Sequence, residues 1–330
     1  MAAPTNNSNN PRLSLVHGTA PDDPSLYSDI WLKADDLDAS VVFPGPLHIP
    51  EQGLGDARQL LERCKAFTKP DFMVSLQGQF WRGRRDDQVV DGIWFHLRGM
   101  PPTPPTLDTL PSPMPAAIRS MLMAPMLGAG GLVYIVGAPG SGKTTSGSAT
   151  LVSRLKQYGG VARTIENPPE MPLNGWHGAG FCTQSWVAGD GAADWAESFR
   201  GVLRSQPART PVMLYVGEVR DQESAAALLR AASSGFLVIA TGFGTDIVSG
   251  LDALVRLAGR DTLDGFAAML RLVVHQSIFE GTLLSTALAF TGPACPASMR
   301  VRSGALTHLQ NDIQFQANQM RLGRSPLDPQ

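Results

Sequence analysis

Three runs in the second half of the chain, GLVYIVG (131–137), VMLYVGE (212–218) and FLVIATG (236–242), are short and rich in β-branched residues, with glycine at or next to their ends. Apolar runs of that length without polar alternation predict strands buried on both faces, as in a parallel sheet. Between them, TSGSATLVSRLKQYG (145–159), AADWAESFRGVLRSQ (192–206) and DQESAAALLRAASSG (221–235) carry helical spacing, the last opening on an acidic turn and ending at Gly235. Strand–helix alternation of this kind predicts a parallel sheet wrapped by helices. The tail from Leu263 reads as mostly helical, with His275 and His308 as packing or interface residues on those helices.

The first third has another rhythm. DIWLKA (29–34), SVVFPGPLHI (40–49), FMVSLQGQFW (72–81) and DGIWFHL (91–97) are short apolar runs broken by Pro, Gly and Asp, around one helical pattern at 51–67. They predict a small α/β domain over 23–98. Residues 1–22, poor in bulky apolar groups, read as a flexible arm. Seven prolines between Pro101 and Pro115 remove backbone donors and favour extended chain, so 99–115 reads as a stiff connector and 116–330 as the second domain. No internal repeat is evident.

With 330 residues, 43% hydrophobic and 17% charged, the chain has enough apolar mass for real cores. Its 27 basic and 29 acidic residues leave a net charge of −2, which supplies no global field for nucleic acid or anionic membrane. Cys64, Cys182 and Cys295 are far apart and form no zinc or disulfide pattern. Residues 120–142 lack charge over a bilayer-spanning length, but two prolines and repeated glycines make the second half a strand and a loop instead. The amino terminus carries no secretory signal pattern, and a cytoplasmic location is expected.

The strongest chemical signal is Gly137-Ala138-Pro139-Gly140-Ser141-Gly142-Lys143-Thr144, followed by Thr145: a G-x-x-x-x-G-K-T loop between an apolar strand and a helix. Its glycines let backbone N–H groups turn around an anion, Lys143 places a cation on the outer phosphates, and Thr144 offers a hydroxyl to Mg²⁺. ATP with Mg²⁺ is the expected ligand. Glu218 ends the run 212–216, where a phosphate site needs an acid for the metal's water; alone, the charged stretch GEVRDQE reads as a solvated loop. Glu166 and Glu170 flank two prolines in TIENPPE (164–170) and suit general-base work, although composition alone reads that stretch as a surface turn. Thr241, ending the third strand, places a hydroxyl where a γ-phosphate is sensed.

GAPGSGKTT, TIENPPE, LRSQP, LYVGEVRD and SSGFLVIATGFGTD follow in order and at spacings that resemble the ATPases of type II secretion, type IV pili and type IV secretion. The likeness is greatest to pilus-retraction ATPases and to those of conjugation and Dot-type systems. YSDIWLKA, GIWFHLRGMPPTPPTLDTL and VRSGALTHLQNDIQ extend it over nearly the whole chain. The resemblance implies a PAS-like amino-terminal domain, a RecA-like P-loop ATPase domain and a homo-hexameric ring. It also implies work beside inner-membrane secretion or pilus components, with the membrane reached through partners. It puts the base on Glu166, the Walker B acid on Glu218, and on Arg98 an arginine acting on the neighbouring protomer's nucleotide.

Two positions depart from the family pattern. Asn167 stands where the turn carries aspartate, and Phe243 where a histidine is expected, with no histidine between His177 and His275. A type IV secretion or conjugative motor is the first reading, and pilus retraction the second. A nucleotide-binding scaffold and a small-molecule P-loop kinase are the competing classes. No strong direct nucleic-acid binding is expected, the interleaved Trp81 and Arg82, Arg84 and Arg85 reading better as an intersubunit surface.

Overall fold

The computed structural model describes residues 27–187, 192–219 and 221–327. The chain divides into two compact units, Met1–Pro102 and Thr103–Gln330. The arm expected over residues 1–22 lies outside the described residues.

The smaller unit contains β1 (Asp29–Lys33), β2 (Val41–Phe43), β3 (Leu47–His48), α1 (Leu54–Lys65), β4 (Asp71–Leu76), β5 (Gln79–Asp86) and β6 (Trp94–Gly99). Its six strands pair antiparallel in the order β3-β2-β1-β6-β5-β4. One face is apolar: Ile30, Leu32, Phe72, Val74, Phe95 and Leu97 pack with Ala57, Leu60, Leu61 and Cys64 of α1. The two-residue period of β5 sends Trp81 and Gly83 into that core and turns Arg82 and Arg84 outward. The apparent interleaving of aromatic and cation therefore splits between faces, and Trp81, 2% exposed, is not available to stack on a base. Arg84 pairs with Asp71 at 3.2 Å and Arg85 with Asp87 at 2.7 Å. Gly83 faces the Phe72 ring so closely that a Cβ would lie 2.3 Å from it.

The larger unit contains α2 (Ala116–Leu122), β7 (Gly131–Val136), α3 (Lys143–Tyr158), β8 (Gly160–Ile165), β9 (Gly175–His177), β10 (Gly180–Thr183) and α4 (Ala192–Arg204). Then follow β11 (Val212–Val216), α5 (Gln222–Ser233), β12 (Leu237–Gly242), α6 (Ile247–Ala258), α7 (Leu263–Met269), β13 (Leu270–Phe279), β14 (Thr282–Ala289), α8 (Pro296–Arg302) and α9 (Leu309–Arg321). The sheet order is β14-β13-β7-β12-β11-β8-β10-β9. Every neighbour from β13 to β10 is parallel, and antiparallel partners close both ends, so the sheet is mixed. Leu132, Tyr134 and Val136 of β7 enter one core and Val133 and Ile135 the other, which is why the run has no polar alternation. Asp221 and Asp246 open α5 and α6 through capping boxes with Ser224 and Ser249.

From Thr103 on, the proline-rich stretch lies on the larger unit. Leu107 and Met114 are buried in its core, and the Leu107 N–H donates to Ser153 Oγ at 2.9 Å.

The expectation of a helical tail is corrected. Residues 270–289 form a hairpin, with Glu280 and Gly281 both at positive φ (47° and 74°) in a two-residue turn. In β13, Leu270 and Val273 enter one core and Leu272 and Val274 the other, and Arg271, His275, Gln276 and Ser277 do not alternate with them, so the residue pattern hides the strand period. His275 lies on β13, opposite Val136 and Thr286, and not on a helix; His308 ends a short 3₁₀ turn before α9. On β14, Ala289 exchanges two hydrogen bonds with the Gln316 side-chain amide (2.8 and 2.9 Å), and the Leu283 N–H donates to Ser112 Oγ at 2.7 Å.

Candidate active site

The loop after β7 is built by close approach. Gly137 packs where a Cβ would come within 2.4 Å of the Gln276 carbonyl oxygen and of Ser141 Oγ. Gly140 and Gly142 take positive φ (76° and 82°), the left-handed conformations that glycine adopts without a Cβ clash. Gly142 caps α3 without a side-chain hydrogen bond, leaving the N–H groups of the first turn to serve an anion together with the helix dipole.

A cleft of about 500 Å³ opens above this loop at the carboxyl ends of the parallel strands. Pro139, Gly140, Gly142, Lys143, Thr144 and Thr145 line it, and so do Glu166, Glu218 and Thr241. With Trp195 of α4, five separate sequence segments thus converge, as an open α/β sheet allows at its carboxyl edge. Ala138 and Gly137 contribute from behind: their carbonyls accept from Lys143 Nζ at 2.9 and 3.0 Å. Ser141 is buried and shapes the loop instead of lining the cleft. Burial holds Lys143 below the usual ammonium range, opposed by the carboxylates of Glu218 and Glu170.

Glu166 is 1% exposed. Burial pushes its carboxyl up to about 7, while hydrogen bonds from Gln184, Thr164 and the backbone at Glu170 act the other way. Gln184 Nε2 donates to Glu166 Oε1 at 2.9 Å and fixes the carboxylate's direction. Gly217 lies beside it, with room for a Cβ only 3.2 Å from Glu166 Cγ. A carboxyl that changes charge near neutrality suits proton transfer.

Thr241 lines the cleft, but its hydroxyl donates to the Gly217 carbonyl, so it ties β12 to the turn carrying Glu218. Arg98 lies on β6 of the smaller unit, its side chain 66% exposed and paired with Asp29 at 2.9 Å. Asn167, Pro168, Glu170, Gly217, Trp195 and Phe243 complete the lining. The Phe243 ring centroid is 4.8 Å from Lys143 Nζ.

Three residues carry no local signal in the sequence. Gln184 reaches Glu166 only because β10 pairs with β8, Gln276 donates to the Ser141 carbonyl at 2.6 Å from a strand that reads as helix, and Trp195 reaches the cleft from α4.

The oxygen donors Thr144 and Glu218 fit Mg²⁺, which takes few protein ligands and leaves the rest to phosphate and water. The size of the cleft and its convergent polar groups fit a nucleotide.

The sequence model of the family described as "Type II/IV secretion system protein" matches residues 94–302. A curated relative, the type II secretion system protein HxcR of Pseudomonas aeruginosa, is 34% identical over 125 residues, 38% of this chain and 24% of that protein. The matched segments span about a fifth to a half of the curated relatives' length. Among solved structures, the pilus retraction motor PilT with bound ADP superposes with a TM-score of 0.66 at 20% identity, covering 88% of this chain and 86% of that one. The Legionella pneumophila ATPase DotB gives 0.66 at 20%, covering 92% and 90%.

Proposed function

The chain belongs to the type II/IV secretion system protein family, and within it we propose an ATP-hydrolysing motor that works as a homo-hexameric ring and powers type IV secretion or conjugative transfer. Its fold is that of the family's ATPases, a RecA-like domain preceded by a small PAS-like domain. The observation that carries the reading is one cleft holding a P-loop lysine, a buried carboxyl poised near neutrality and a second acid at the end of the adjacent strand.

Each group has a task in that reading. The loop N–H groups and Lys143 bind the phosphates of ATP and gather charge where it develops. Mg²⁺, when bound, neutralises charge on the outer phosphates; Thr144 would hold it directly and Glu218 through water. Glu166 accepts a proton from the attacking water as its oxygen bonds to the γ-phosphorus and ADP leaves. Gln184 keeps the carboxylate aimed. Arg98, exposed on its own unit, supplies positive charge to the nucleotide of an adjacent protomer.

Among the described residues, no helix is long and apolar enough to cross a membrane. The proposed location is the cytoplasmic face of the inner membrane, reached through machine components. Phe243 in the expected histidine position favours a diverged secretion branch over pilus retraction, the second reading.

Light scattering combined with ATP turnover, on the wild type and Glu218→Gln, tests the proposal. A six-fold ring that hydrolyses ATP and loses turnover but not assembly in the variant supports it. A monomer, or phosphotransfer to a small acceptor, discards it. In the host, deletion should abolish substrate transfer; pili that assemble but do not retract would select the second reading.

A further inference from the structure

Phe243 directly follows β12, lines the cleft and is 48% exposed as a residue. Its backbone is fixed on both sides. A Cβ at Gly242 would fall 1.8 Å from the Tyr134 hydroxyl, and one at Gly244 2.7 Å from Gly250 Cα, so both neighbours are pressed against other elements. The ring is thereby presented to Lys143, whose Nζ is 4.8 Å from its centroid. The same ammonium donates to the carbonyls of Gly137 and Ala138.

Resting on the reading of this cleft as an ATP site, we propose that Phe243 is a positioning residue that holds the Lys143 ammonium against its own loop and so sets nucleotide affinity. An aromatic face attracts the ammonium but offers a phosphate no hydrogen bond, so the ring favours the retracted lysine over the phosphate-bound one. Phosphate must draw Nζ off both carbonyls and ring, and apparent affinity falls by the fraction of molecules with the lysine released. A cation–π contact at a half-exposed site corresponds to about two- to fivefold.

The test is a titration of ATP and ADP into the wild type, Phe243→Leu, Phe243→Tyr, Lys143→Ala and the Phe243→Leu/Lys143→Ala double variant, each with its melting temperature. Phe243→Leu should bind both nucleotides about two- to fivefold more tightly, and Phe243→Tyr, which keeps a π face, should stay within twofold of wild type. In the Lys143→Ala background the leucine substitution should change nothing. Acylation of Lys143 by an amine reagent, mapped by mass spectrometry without nucleotide, should rise in Phe243→Leu.

Unchanged or weaker binding in folded Phe243→Leu, or the same gain without Lys143, overturns the proposal. A chain that binds nucleotide but neither assembles nor hydrolyses it sinks the motor reading and leaves the affinity comparison valid. A wild type without affinity for ATP or ADP overturns both.

Discussion

The side-chain amide of Gln184 donates to the carboxylate of Glu166 at 2.9 Å, across a parallel strand pair that separates the two by eighteen positions in the chain. The bond favours the ionised form of a carboxyl that burial would otherwise keep protonated.

Turnover should therefore rise with pH and level off above about 7, where Glu166 is free to accept a proton. Gln184→Leu should move that limb to higher pH, because the bond that lowers the carboxyl's affinity for protons is gone. A pH profile of kcat for both proteins reads the shift; an unmoved limb would exclude Glu166 as the titrating base.

The same burial has a stability signature. A carboxyl raised in the folded state is most favourable below its unfolded value, near 4.3, and that contribution is lost as pH rises to about 7. Glu166→Gln should be more stable than wild type at pH 8, by on the order of 3 kcal/mol. The difference should shrink toward pH 5. Urea melts at the two pH values check it.

Gln276→Leu should loosen the phosphate loop. Gln276 is fully buried and donates to the Ser141 carbonyl, so its loss leaves an unpaired acceptor at a cost of about 1–3 kcal/mol. KM for ATP should rise several-fold, with a smaller effect on kcat, in steady-state assays.

Gly83→Ala should destabilise the smaller unit by about 1–3 kcal/mol, because the added methyl has no space beside the Phe72 ring. Chemical denaturation followed by tryptophan fluorescence should show a lower midpoint. An unchanged midpoint would mean that the ring relaxes without strain.

Much of this was legible in the residues themselves. The loop 137–144 announces itself because each position of the motif does a local job, and Glu218 follows from a strand with a charge at its end. Gln184 and Gln276 were not legible, since pairing between distant strands creates their contacts and nothing in their own segments requires it. The hairpin 270–289 was hidden because Arg271, His275, Gln276 and Ser277 interrupt β13 without regular alternation, so only the turn at Glu280 and Gly281 reveals the strands. For Trp81, adjacency in the sequence suggested one surface, where the strand period places neighbours on opposite faces.

Gln316 and Ser112 have a consequence for self-association. An open edge strand recruits a second copy by extending the sheet, the route to misassembly and fibrillar aggregation. Here a helix glutamine imitates the missing strand at Ala289, and a serine of the proline-rich strap takes the Leu283 donor. With those three groups already paired, both ends of this sheet edge offer an added strand fewer hydrogen bonds than a bare edge would.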